Sequence, residues 1–125
     1  MISMRNMSKI FSWFGIVLIL IVGLVHVIEA KDSFNDAVYK GWLFYANGFG
    51  SMVAAYGIYR NYHWGWKIGI LIAAGAFVGY VASRTVGLPY IPAEPKAWFE
   101  PLGVTAMIAE GLFMAAFIVK QVKKQ

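Results

Sequence analysis

Four apolar runs, each close to the length of helix that crosses a bilayer, dominate what this chain can fold into. They cover residues 10–29, 41–59, 67–86 and 102–120. The first is the most hydrophobic. The second is the weakest, because Asn47 and its interior glycines dilute it. Composition points the same way. Hydrophobic residues make up 60% of the chain and charged residues 14%, whereas a soluble domain carries about 25% charged residues. A soluble domain this apolar could not cover its own surface, so lipid is the expected solvent. The 125 residues suit a single membrane domain, 1–125. The expected fold is an all-α membrane protein, a bundle of four transmembrane helices.

Polar and breaker residues divide the runs. Lys31-Asp32-Ser33 follows the first, and Asn35-Asp36 precedes the second. Arg60-Asn61-Tyr62-His63 separates the second from the third, and Gly87-Leu88-Pro89 ends the third. Pro92, Pro95 and Pro101 punctuate the longest loop. Pro101 stands where a helix best tolerates proline, in its first turn. The absence of cysteine excludes disulfides, thiolate metal sites and cysteine nucleophiles. Arg5 and Lys9 before an apolar stretch also suit a secretory signal. For a cut after Ala30 the large Ile28 would occupy a position that needs a small residue, and the stretch is long for a signal, so an uncleaved first helix is expected.

Charge sets the orientation. With the N-terminus inside, Arg5, Lys9, Arg60, Lys67, Lys120, Lys123 and Lys124 are cytoplasmic and no acidic residue accompanies them. Lys31, Lys40, Arg84 and Lys96 lie outside, mixed with Glu29, Asp32, Asp36, Glu94 and Glu100. Basic residues concentrate on the cytoplasmic side of membrane proteins, so both termini are expected in the cytoplasm, with the chain in the cytoplasmic membrane. The net charge of +5 is thereby explained as a topology anchor, with no need of nucleic acid. Trp42, Tyr90 and Trp98 on the outer side, and Tyr59, Tyr62, Trp64 and Trp66 on the inner, read as interfacial belts.

Small residues recur at four-residue spacing: Ala46, Gly50 and Ala54 in the second run, Gly75, Gly79 and Ser83 in the third, and Gly103, Gly111 and Ala115 in the fourth. Such rows let helices approach in lipid. They build the bundle itself or join it to other membrane subunits or to a second copy of the chain.

Ionisable residues within membrane spans are costly and are often functional. At about 1.5 Å of rise per residue, Asn47 lies about 5 Å, His26 about 9 Å and Arg84 about 10 Å outward from the middle of their runs. Glu29 is one turn beyond His26 on the same face. Glu100 caps the fourth run, and Glu110 sits near its middle. The inner half holds almost no strongly polar side chain. Two readings of this one-sided set stand open. In the first it only locks the outer ends, with Arg84 paired to Glu29 or Glu100 and His26 bonded to a neighbour. In the second it lines a cavity open to the outside that takes a small anion at Arg84, a proton, or a metal ion at His26, Glu29 and Glu110. His26 and Glu29, three residues apart, could share a metal. Glu110 should be protonated or paired with a group reaching from His26 or Asn47. His63 belongs to the opposite side, so the two histidines cannot ligate one haem. No catalytic set occurs, no cofactor is required, and Ser12 and Ser51 have no base at workable spacing.

Ser83-Arg84-Thr85-Val86-Gly87-Leu88-Pro89, followed by Glu100-Pro101-Leu102-Gly103, resembles an S-R-T-x-G-L-P … E-P-x-G signature of small uncharacterised prokaryotic four-helix integral membrane proteins, in which a histidine of the first helix, here His26, also recurs. The resemblance implies that Arg84 and Glu100 belong to one constellation at the outer face. It carries no activity. Small size, abundant helix-contact surface and no catalytic set lead to an accessory or assembly subunit of a larger membrane complex. The alternative is a bundle that binds or transports an ion or small ligand at His26, Glu29, Asn47, Arg84, Glu100 and Glu110.

Overall fold

The computed structural model describes residues 4–123, with side chains over 8–122. Of the basic residues that orient the chain, Lys124 and the side chains of Arg5 and Lys123 lie outside the described residues. The described residues form four helices, α1 (Met4–Asp36), α2 (Val38–Tyr59), α3 (His63–Thr85) and α4 (Pro101–Lys123), with a non-helical loop at 86–100. Three helical stretches, Ser8–Asp36, His63–Thr85 and Pro101–Val122, are long and apolar enough to cross a membrane. Asn47 and four glycines leave α2 short of that hydropathy although it has the length.

α1 extends seven residues past the end of its apolar run. Lys31, Asp32 and Ser33 are thus helical, where the sequence suggested a break. Apolarity marks the part of a helix that suits lipid, and polar residues without a proline or glycine do not end the helix itself. The break falls at Ala37, whose extended backbone (φ −166°, ψ 145°) turns the chain directly into α2. The α2–α3 turn is a Schellman closure: the Tyr62 N–H donates to the Gly57 carbonyl at 2.8 Å and the Asn61 N–H to the Ile58 carbonyl at 3.0 Å. Asn61 takes the left-handed conformation (φ 62°) that this closure needs. Pro101 opens α4, as its position in the sequence suggested.

The helices form a ring in which α1 meets α2, α2 meets α3, α3 meets α4 and α4 returns to α1; α1 only grazes α3, and α2 and α4 do not touch. Around the termini the ring is filled. Ile19, Ile58, Ala73, Phe113 and Trp66 pack there as one core. Trp66 is therefore no interfacial ring. It is buried, stacks near Phe113 at 5.1 Å and lies against Gly15. The glycine rows also divide differently from their spacing. Gly50 meets Ile72 and Gly103 meets Tyr80, but side-chain carbons added at Gly75, Gly79 or Gly111 would meet nothing within 4 Å. The closest backbone approach pairs Gly57 with Gly65, across the α2–α3 turn. Four-residue spacing identifies a smooth helix face without saying whether a neighbour occupies it.

Candidate functional site: a cavity at the loop end of the bundle

At the opposite end, marked by Ala37 and the 86–100 loop, the ring is hollow. A cavity of about 690 Å³ is walled by all four helices. His26, Glu29, Asn47, Arg84, Glu100 and Glu110 all line it. Gly75 and Gly79 belong to its wall, which is why no side chain faces them. Leu43 of α2 and Leu71 of α3 line it too while remaining 60% and 74% exposed, so the cavity opens sideways between α2 and α3.

The polar residues fall into two layers. Side-chain contacts at glycines index the helices: Gly48 lies against Val27, Gly50 against Ile72, Gly69 against Phe113 and Gly103 against Tyr80. Counting from these pairs puts His26, Asn47 and Glu110 within about one helical turn, roughly 5 Å, of a common level. They form the floor. Arg84 and Glu100 stand at the rim, about 15 Å further along the bundle by helix rise. Glu29 lies about one turn above the floor.

At the floor, His26 Nδ1–H donates to the Val22 carbonyl at 2.8 Å. A carbonyl only accepts, so in the neutral ring Nε2 carries the lone pair. That nitrogen makes no hydrogen bond among the described residues, and the ring lies 4.8 Å from Phe44. Asn47 Oδ1 accepts from Ser51 Oγ at 3.3 Å. Glu110 is 1% exposed, and its Oε1 is buried with no hydrogen-bond partner. The partner expected from His26 or Asn47 is absent: both reach the right level, but neither bonds the carboxyl group.

At the rim, Arg84 holds the loop by a route the sequence did not reveal. Its Nε and Nη2 donate to the Ala97 carbonyl at 3.3 and 3.2 Å, and Nη1 donates to Ser83 Oγ at 2.7 Å. The guanidinium lies 3.9 Å from the Tyr80 ring centroid. Glu100 Oε2 is 3.7 Å from Nη2, an ion pair too long for a hydrogen bond. The expected pairing of Arg84 with Glu100 is thus present as an ion pair, while the hydrogen bonds of the guanidinium go to a backbone carbonyl and to Ser83. Glu29 does not pair with Arg84. The helix register leaves it about two turns below the guanidinium, because α1 runs well beyond Glu29.

Tyr80 and Tyr39 went unrecognised in the sequence, and Ser83 was read only as a small residue and as part of the signature. Tyr80 donates to the Trp98 carbonyl at 2.8 Å, Tyr39 to the Pro89 carbonyl at 2.6 Å, and the Ser83 carbonyl accepts from the Glu94 N–H at 2.9 Å. One signal was available: Tyr80, Ser83 and Arg84 stand on one helix face, one turn apart.

The lining is rich in carboxylates. Asp36 bonds Lys40 at 2.7 Å and Glu100 sits near Arg84, while Glu29, Asp32 and Glu110 have no ion pair among the described residues. Among the described residues no three histidine, aspartate or glutamate side chains come together as a metal would require. The set His26, Glu29 and Glu110 shares a cavity without forming a ligand sphere. No protein-family model, curated protein or solved structure matches this chain.

Proposed function

We propose that the chain is a multi-pass membrane protein with four membrane helices and both termini in the cytoplasm, and that it binds a small ligand in the cavity at its outer end. One observation carries the binding reading. The six polar residues spread along the sequence line a single cavity of about 690 Å³, within the range of about 300–1,000 Å³ typical of small-molecule sites. A cluster serving only to lock helix ends would be packed shut, as the opposite end is. The membrane reading is supported by three helices of spanning length and hydropathy and by exposed Leu24, Phe49, Leu71 and Ile108 around the bundle. α2 can span with them because its polar Asn47 and Ser51 bond one another. Apolar surface that an accessory subunit would use is equally the surface that lipid covers, and so it does not favour that role.

Two measurements check this. Single cysteines at Lys96 and Gln125, introduced into this cysteine-free chain, are expected to react with a membrane-impermeant maleimide from opposite sides. Labelling of both from outside would overturn the topology. For binding, a thermal-shift screen of the detergent-purified protein against small amines, acids, neutral compounds and inorganic ions should find compounds that raise the melting temperature. Gly79→Leu, which projects into open cavity space, should abolish the shift. A screen with no stabilising compound, or a shift that survives Gly79→Leu, would refute the cavity as a binding site.

A further inference from the structure

Glu110 is the feature that this reading leaves unused. Its carboxyl group lies at the cavity floor, is 1% exposed, and has an Oε1 that receives no hydrogen bond. Leaving a buried acceptor unsatisfied costs the desolvation of that group. Nothing in the fold needs a carboxylate there, since Ala106, Ala109 and Phe113 on the same helix are apolar. The arrangement is that of a site awaiting a donor from outside the chain.

The surroundings specify that donor. His26 Nε2, at the same level, adds a second acceptor rather than a donor. Glu29 and Asp32 above it carry negative charge with no ion pair. The basic residues of the cavity, Lys40 and Arg84, are already engaged, one by Asp36 and one by the Ala97 carbonyl. An anion would thus meet acceptors and carboxylates at the floor, with the lining cations Lys40 and Arg84 held above it. A bare metal ion would find no three-residue ligand set. Apart from Glu29 and Asp32, the lining next to the floor is apolar or small, including Val25, Phe44, Ile72 and Ala76. A ligand that fits must combine an apolar body with a cationic head bearing N–H groups.

Building on the reading of this cavity as a ligand site, we propose that its ligand is an apolar primary or secondary amine, bound as the protonated cation with its N–H donating to Glu110 at the floor and its hydrocarbon body between α2 and α3. Glu110 supplies the carboxylate for a charge-assisted hydrogen bond. His26 Nε2 accepts a further N–H where the head carries one. The side opening between Leu43 and Leu71 admits the apolar body. Charge at Glu29 and Asp32 draws the cation inward and excludes acids.

The test uses four probes of one shape: phenethylamine, 2-phenylethanol, phenylacetate and phenethyltrimethylammonium, titrated calorimetrically into the full-length protein in detergent. Phenethylamine is expected to bind about tenfold or more tightly than each of the other three, since the alcohol lacks charge, the acid has the wrong sign and the quaternary cation has no N–H. Glu110→Gln should weaken phenethylamine by about tenfold or more while leaving the ligand-free protein as stable as before or more stable, because the orphaned carboxyl group is gone. Glu110→Asp, which withdraws the carboxylate by one methylene, should lie between. Binding of phenethylamine within about twofold of wild type in both variants would overturn the assignment of Glu110. Preference for the alcohol or the acid, abolished by Gly79→Leu, would overturn the amine and leave the cavity as a site for another class. Failure of all probes, together with a blank thermal-shift screen, would overturn both.

Discussion

Gly65→Ala is expected to destabilise the bundle by about 3 kcal/mol, as overpacking of a filled contact does. A side-chain carbon at Gly65 would run into the backbone of Gly57 and Ile58. Backbone atoms cannot rotate away as a side-chain tip can, so α2 and α3 must separate beside a turn whose Schellman closure holds them together. Gly75→Ala and Gly79→Ala should behave oppositely. Both positions are mid-helix glycines with open space around them, and replacing such a glycine with alanine gains roughly 0.5–1 kcal/mol of helix stability. Thermal unfolding in detergent, followed by circular dichroism, checks both signs. If all three variants shifted the midpoint alike, spacing rather than contact would govern these glycines.

Arg84→Ala is expected to release the 86–100 loop and to cost about 2–3 kcal/mol, the range of hydrogen bonds made by a charged donor. The Arg84 side chain is 12% exposed, and its guanidinium serves Ala97, Ser83 and the Tyr80 ring together. Little of the cost comes from Glu100, which is 53% exposed and can turn to water. Glu100→Gln should accordingly cost under about 1 kcal/mol. Arg84→Lys should recover only part of the loss, because an ammonium lacks the planar fork that spans Ala97 and Ser83 and the flat face that covers Tyr80. Unfolding midpoints, with limited proteolysis at the 86–100 loop as a local readout, distinguish these cases. An equal loss for Glu100→Gln and Arg84→Ala would return the weight to the ion pair.

Much of this molecule was determined along the chain. The four helices coincide with the four apolar runs, each long enough for several helical turns. Pro101 marked the start of α4, and the one-sided polar set foretold which end of the bundle would differ. These are local properties, carried by hydropathy and by proline's missing N–H. Tertiary structure decided the rest. The extension of α1 through Lys31, Asp32 and Ser33 shifted His26 relative to Asn47 and Glu110 and made them one layer, because depth along a helix has meaning only against its neighbours. Trp66 turned inward to fill the space over Gly15, while other tryptophans, such as Trp42, stayed at the surface. Arg84 gained the Ala97 carbonyl beside the expected Glu100 carboxylate, since the loop path set what lay within reach of its fork. Whether Gly75 and Gly79 would join helices or face a void depended on the divergence of α2 from α3 beyond Ile72. No short stretch of sequence encodes that divergence, because it is the sum of contacts made by all four helices at once.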